Sequence, residues 1–98
     1  MATFIATVKF TQKGLDEITE STKRAAAFKA AAKKMGVKVT ANYWTIGYFD
    51  GVIIFDAPDD ATATAAMLHL AGQGYVHTTT SRAFEAGEMG KVVGMLGK

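Results

Sequence analysis

The chain has 98 residues, of which 49% are hydrophobic and 20% are charged, and its formal net charge is +2. These values are typical of one globular domain and exclude a disordered or membrane-embedded chain. The absence of cysteine excludes disulfides, thiolate metal ligands and cysteine nucleophiles. The N-terminal residues carry neither a basic segment nor a long apolar run, so we expect no signal peptide, no membrane span and a cytoplasmic location.

The first predicted elements are a strand and a long helix. Residues 3–10 alternate in hydrophobicity with the two-residue period of a half-buried strand. After Gly14, the Ala/Lys-rich residues 15–35 carry an apolar stripe of helical spacing, which predicts a helix bent near Ser21. Arg24 falls within that stripe, so its guanidinium is expected to need a partner.

The next two elements form a predicted hairpin. Residues 37–44 alternate again, and Gly47 suits a tight turn because glycine tolerates a positive φ angle. The third strand, at about 49–57, is apolar without interruption from Val52 to Phe55. Such a run is typical of a central strand that is covered on both faces.

A second helix and a fourth strand complete the pattern. Pro58 ends the third strand, and the aspartates that follow it are suited to cap a helix, because carboxylates accept hydrogen bonds from its first N–H groups. The predicted helix 60–71 is unusual for a solvated helix, since no charged residue occurs from 61 through 74. Residues 75–84 are rich in threonine and aromatic residues and predict a strand.

The order β-α-β-β-α-β predicts an α+β domain of ferredoxin-like topology over residues 1–84, with a four-stranded antiparallel sheet. Helices cover one face of such a sheet and leave the other open. On the predicted alternation the open face is largely apolar, which favours a homodimer packed sheet against sheet. The predicted open face consists of Ile5, Thr7, Asn42, Trp44, Asp50, Val52 and Ile54.

Residues 85–98 form a separate C-terminal segment, either a tail or a short helix. Its apolar residues share one helical stripe, but its four glycines would cost an isolated helix about 3–4 kcal/mol relative to alanine. Two interpretations stay open, an arm that docks on a neighbouring subunit or a flexible end. Together with helix 60–71, the segment offers a route to a higher oligomer.

Several short motifs resemble those of the GYD domain family. They are Tyr-Trp-Thr-Ile-Gly-Tyr-Phe-Asp at 43–50, Ala-Pro-Asp-Asp at 57–60, Thr-Thr-Thr-Ser-Arg-Ala-Phe at 78–84, Phe-Thr-Gln-Lys-Gly-Leu at 10–15, and Arg24. The resemblance covers residues 3–84 and implies a ferredoxin-like domain of the dimeric α/β-barrel type, without an established reaction. The usual signature, Gly, any residue, Tyr, Asp, has Phe49 in place of the tyrosine here.

Asp50 and His77 are the candidate catalytic residues. Asp50 follows the turn beside apolar side chains, where a carboxylate can serve as a general base. Alternatively, it holds the turn or pairs with Arg24 or Arg82. His77 and His69 lack the spacing of metal ligands, so no metal and no cofactor is expected.

A ligand site is predicted beside the turn, because aromatic side chains supply contact area and an amide fixes orientation. Trp44 is equally suited to anchor a dimer. The candidate ligand-binding residues are Arg24, Asn42, Trp44, Tyr48 and Asp50.

Three functions fit these features. The first, favoured by the uncharged helix and the aromatic open face, is an oligomeric protein that binds a small apolar or aromatic molecule between sheet and helices or at the dimer interface. The second is a cofactor-independent enzyme of oxygenase or isomerase type, on fold analogy alone. The third is a purely structural oligomer. Basic residues without interleaved aromatics give no support for a nucleic-acid partner.

Overall fold

A computed structural model describes residues 1–97, within which four strands and four α-helices form. The strands are β1 (Ala2–Phe10), β2 (Lys38–Trp44), β3 (Gly51–Ala57) and β4 (Val76–Ala83). The helices are α1 (Gln12–Asp16), α2 (Ser21–Lys34), α3 (Asp60–Ala71) and α4 (Ala86–Gly94), with a 3₁₀ turn at Ile18–Glu20. None of the helices in the described range combines the length and apolar composition that a bilayer crossing requires.

The strands pair in the order β2-β3-β1-β4, and every neighbouring pair is antiparallel. This sheet order and the chain order are those of a ferredoxin-like domain, which confirms the predicted α+β class and the antiparallel sheet. The core lies on one face, where the Phe55 ring is fully buried and stacks on Phe4 at 5.4 Å between centroids. Helices α2 and α3 close this face with Phe28, Ala32, Ala63, Ala66 and Met67.

The helical segment between β1 and β2 differs from the single helix predicted over 15–35. It begins directly after Thr11, whose hydroxyl accepts a hydrogen bond from the Gly14 N–H at 3.1 Å and caps α1. Gly14 therefore lies inside a helix and does not precede one. The predicted bend near Ser21 is present, because the 3₁₀ turn separates α1 from α2 there.

A β-bulge at Thr40 reverses the predicted alternation in the second half of β2. Val39 and Ala41 pair with consecutive residues of β3, so Thr40 is an extra residue with no residue opposite it in β3. One extra residue moves every later side chain to the opposite face, because the side-chain period of a strand is two. Asn42 now pairs with the buried Ile53, and Trp44 shares that side. The prediction that both lie on the open face is wrong.

The sheet face away from α2 and α3 is bare among the described residues. Ile5 is 37% exposed, and Val52 and Ile54 are half-buried, so β3 lies centrally but is covered on one face only. Tyr43 joins them because of the bulge. We call this surface the open sheet face, and it consists of Ile5, Thr7, Tyr43, Val52 and Ile54.

Residues 45–50 connect β2 and β3 by a loop that is longer than the predicted tight turn. Gly47 has a φ angle of 136°, as its predicted role requires. The Thr45 N–H donates to the Asp50 carbonyl at 2.9 Å, and the Thr45 hydroxyl donates to the Phe49 carbonyl at 2.6 Å. These bonds close the base of the loop.

Helix α3 begins at Asp60, at the position that the capping aspartates indicate in the sequence. The Asp59 carboxylate accepts a hydrogen bond from the Thr62 N–H at 2.7 Å, and this bond lowers the pKa of Asp59. The inward side of α3 is buried in the core. Its outer side is uncharged and exposed, with Leu68 at 67% exposure.

The C-terminal segment forms a helix, α4. Glu85 and Glu88 make a capping box, and the Arg82 guanidinium donates to the Glu88 carboxylate at 2.9 Å. That hydrogen bond holds the pKa of Glu88 below its usual range. No residue of α4 is buried within the described chain, and Met89 of its apolar stripe is 47% exposed.

Candidate functional site

A cavity of about 60 Å³ lies between α2 and the helix-covered face of the sheet. Most of its wall is apolar and is formed by Val8, Phe10, Ala25, Phe28, Ile53 and Leu70. Its polar side chains include those of Ser21, Arg24, Asn42, Trp44, Asp50, Gln73 and Tyr75. An apolar wall with a few convergent polar groups is the usual composition of a small-molecule site.

The predicted ligand-binding residues meet at this cavity, with the exception of Tyr48. Asn42 and Trp44 reach it because the bulge in β2 turns them towards α2. Asp50 also lines the cavity, so its predicted place on the open face is wrong. Arg24 enters from the other side, since it projects from the first turn and a half of α2.

Tyr48 lies apart from the cavity, on the exposed loop between β2 and β3. Its side chain is 77% exposed and packs edge-on against Phe49, with 5.0 Å between ring centroids. The Lys9 ammonium lies 4.6 Å from the centroid of the Tyr48 ring. Neither Tyr48 nor Phe49 lines the cavity, so a hydroxyl at either position would lie outside it.

Trp44 closes one side of the cavity by joining β2 to α2. Its indole N–H donates to the Ser21 hydroxyl at 2.9 Å. Ser21 was not predicted as a site residue, because no local pattern connects residues that meet only after the chain folds. The short spacing between Ser21 and Arg24 on α2 was the available signal, since residues three apart share a helix face.

Arg24 is held by two contacts and has one group without a partner. Its guanidinium carbon lies 4.2 Å from the centroid of the Tyr75 ring, and Nη1 donates to the Glu17 carbonyl at 2.8 Å. Nη2 is buried and makes no hydrogen bond within residues 1–97. The expected partner of Arg24 is thus an aromatic ring together with a carbonyl, while Nη2 stays without a hydrogen bond.

Asp50 joins the loop to β1. One of its carboxylate oxygens, Oδ2, accepts a hydrogen bond from the Phe10 N–H at 2.8 Å, and its own N–H donates to the Val8 carbonyl at 2.8 Å. Ion pairs in the described part of the chain join Lys23 with Glu20 and Arg82 with Glu88. Asp50 therefore holds the loop, as one of the two alternatives predicted, but does not pair with an arginine.

We expect Asp50→Ala to lower the free energy of unfolding by about 1–3 kcal/mol, because it leaves the half-buried Phe10 N–H without its acceptor. Asp50→Asn retains an oxygen acceptor and is expected to cost less. Urea unfolding followed by tryptophan fluorescence measures both variants. Equal stability of wild type and both variants would contradict the structural role of Asp50.

His77 does not approach Asp50. It lies on β4 opposite Lys9, on the side of the sheet that faces away from the cavity. The two candidate catalytic residues are therefore separated by the sheet, and they do not form an acid–base pair. Within residues 1–97, no three histidine, aspartate or glutamate side chains cluster closely enough to hold a metal ion.

A wider, shallower groove of about 590 Å³ lies between α3 and β4. Its walls include Met67, Leu68 and Ala71 from α3 and Thr78, Thr80 and Arg82 from β4. Strand β4 lies at the edge of the sheet, so the N–H and C=O groups along its outer side have no neighbouring strand to pair with.

Three comparisons relate the chain to known proteins. A family model described as "GYD domain" matches residues 4–93, which include most of α4. The "Glutamine synthetase and cystathionine beta-lyase binding protein" of Thermus thermophilus is 33% identical over 90 residues, or 91% of this chain and 95% of that protein.

The crystal structure of TTHA0845, also from Thermus thermophilus, superposes with a TM-score of 0.58 and 19% identity. The superposition covers 88% of this chain and 96% of that one, and it supports the α+β fold. The family model matches nearly the whole chain, beyond the residues 3–84 over which the motifs resemble the family. The chain belongs to the GYD domain family.

Proposed function

We propose that this protein binds a small, mainly apolar molecule in the cavity between α2 and the sheet. The observation that carries the proposal is the convergence of Arg24, Asn42, Trp44 and Asp50 on one apolar-walled space. A volume of about 60 Å³ has room for about four to six water-sized groups. A larger ligand would extend past Trp44, which is 48% exposed at the edge of the cavity.

We also propose that the protein is a homodimer of the dimeric α/β-barrel type, formed through the open sheet face. Ile5, Val52 and Ile54 form a continuous apolar patch on neighbouring strands, because Ile5 pairs directly with Ile54. A stable interface of standard size covers about 800 Å² per partner, and pairing two such faces would remove this patch from water. The uncovered stripe of α4 and the outer side of α3 then remain for a higher oligomer.

A protein partner is the second candidate function. The relative from Thermus thermophilus is named as a binding protein for two enzymes, and the groove between α3 and β4 offers an edge strand beside an uncharged helix. Co-elution with a purified glutamine synthetase or cystathionine β-lyase separates this candidate from the first. The enzyme hypothesis ranks below both, because Asp50 already holds the loop and His77 lies on the opposite face.

The proposed binding function is tested by a substitution that fills the cavity with a larger side chain. Ala25 lines the cavity on α2, whereas its neighbour Ala26 is exposed, so Ala25→Leu and Ala26→Leu are a matched pair. In NMR titrations with butan-1-ol and benzyl alcohol, we expect a saturable shift of the indole N–H resonance of Trp44, the one tryptophan of the chain. Ala25→Leu should abolish that shift because the added side chain occupies the space.

Ala26→Leu should bind both alcohols as the wild type does. Equal shifts in the wild type and both variants would place the alcohols elsewhere, and a wild type without saturable shifts would contradict the proposed binding function. Thermal unfolding of each variant shows that the comparison is made between folded proteins.

A further inference from the structure

We propose that the ligand of this cavity carries a carboxylate, and that Arg24 binds it through Nη2. The inference rests on the proposed binding function and specifies the chemistry of the ligand. It starts from one observation, that Nη2 of Arg24 is buried in the described structure and has no hydrogen-bond partner. A buried charged donor without an acceptor is costly, so the missing acceptor is expected from a molecule that enters the cavity.

The guanidinium is already positioned for such a ligand. Its face lies on Tyr75, and Nη1 is occupied by the Glu17 carbonyl, so the group is fixed by contacts on its other sides. Fixing a side chain before binding reduces the entropy that binding must overcome. Nη2 is the buried nitrogen of Arg24 that lacks an acceptor.

The neighbouring polar groups also favour an anion at this end. The Ser21 hydroxyl accepts the Trp44 indole hydrogen bond, which leaves its own O–H free to donate. Ser21 and Arg24 lie three residues apart on α2, so their donors face the same space. Asn42 adds an amide on the sheet side of the cavity.

Asp50 is the one acidic side chain among the residues that line the cavity. Its Oδ2 accepts the Phe10 N–H, and it makes no ion pair with Arg24 within the described chain. Its negative charge repels a carboxylate, which therefore orients towards Arg24, while the apolar part of the ligand contacts Phe28 and Ile53. The ligand class is a compact aliphatic or aromatic acid, because the cavity volume is about 60 Å³.

The test compares acids with neutral molecules of the same shape. Butyrate and benzoate are titrated beside butyramide and benzamide, and the Trp44 indole N–H resonance reports the dissociation constants by NMR. We expect each acid to bind wild-type protein about tenfold more tightly than its amide, a difference of about 1.4 kcal/mol. Arg24→Gln should remove that preference, because it keeps an amide donor but loses the charge.

Two further variants complete the design. Arg24→Lys keeps the charge without the planar fork, so it should restore part of the preference for acids. Lys29→Gln removes an exposed positive charge from the same helix and should leave the preference unchanged. Thermal unfolding of each variant establishes that it is folded.

The outcomes separate this inference from the proposed function. Equal binding of acids and amides by the wild type, or a preference that Arg24→Gln leaves intact, would overturn the carboxylate assignment while the cavity function stands. No saturable shift with acids, amides or alcohols would overturn both. A loss of the preference in Lys29→Gln equal to that in Arg24→Gln would assign it to overall charge and also overturn the role of Arg24.

Discussion

Ile54→Lys is expected to convert the proposed homodimer into a folded monomer. Ile54 lies at the centre of the open sheet face, beside Ile5 on β1, so a sheet-to-sheet dimer would bury the lysine against its symmetry mate. Transferring each ammonium out of water costs several kcal/mol, and the lysine also replaces apolar contact area at the centre of the patch. In the monomer the same lysine remains in water and costs little. Native mass spectra report the subunit number directly.

Leu68→Glu is the matched control for this prediction. Leu68 is also exposed and apolar, but it lies on the outer side of α3, away from the open sheet face. The dimer should persist in this variant, and only an assembly larger than a dimer should lose subunits. A monomeric wild type, or an Ile54→Lys protein that stays dimeric, would contradict the assignment of the interface.

Gly14→Ala is expected to lower the free energy of unfolding by about 2–4 kcal/mol. A Cβ at Gly14 would overlap the Tyr75 carbonyl oxygen, which is backbone and cannot rotate away. The same carbonyl accepts the Thr11 N–H at 3.0 Å. The variant therefore combines the cost of overpacking, about 1–3 kcal/mol, with the weakening of a hydrogen bond worth about 1 kcal/mol.

The effect of Gly14→Ala should also reach the cavity. Tyr75 supports the Arg24 guanidinium, so displacing its backbone is expected to weaken the binding of benzoate more than that of benzamide. Gly87→Ala in α4 is the control, because a Cβ there meets nothing within 4 Å. It should be neutral or slightly stabilising in urea unfolding, since alanine is the better helix former. A Gly14→Ala protein as stable as the wild type would contradict the close contact.

The topology was predictable from the sequence because each element carries its own local signal. The alternation in residues 3–10, the glycine at position 47 and the capping aspartate at 59 all act over a few residues. Local signals of this kind agree with the global fold in natural proteins. These local signals were sufficient to predict the order of the elements and the antiparallel sheet.

The candidate site was only partly predictable, because its geometry depends on two long-range features. Nothing in the sequence around Thr40 distinguishes a bulge from a regular strand position. The alternation of β2 therefore predicts Asn42 and Trp44 on the wrong face. The partners of Arg24 are equally non-local, since Tyr75 lies far from it along the chain. The residue types of the site were identifiable, whereas the side of the sheet on which they meet was not.

The bulge at Thr40 also decides which side chains of β2 face the cavity and which lie on the open sheet face. This arrangement depends on the presence of one extra residue in β2. A relative that lacks one residue at this point would turn its equivalents of Asn42 and Trp44 outward, and its equivalent of Tyr43 inward. Its amino-acid composition would be almost unchanged, yet its tryptophan would lie on the open sheet face and its cavity would lose a wall. A single-residue gap in β2 would therefore exchange the side chains that face the cavity with those on the open sheet face.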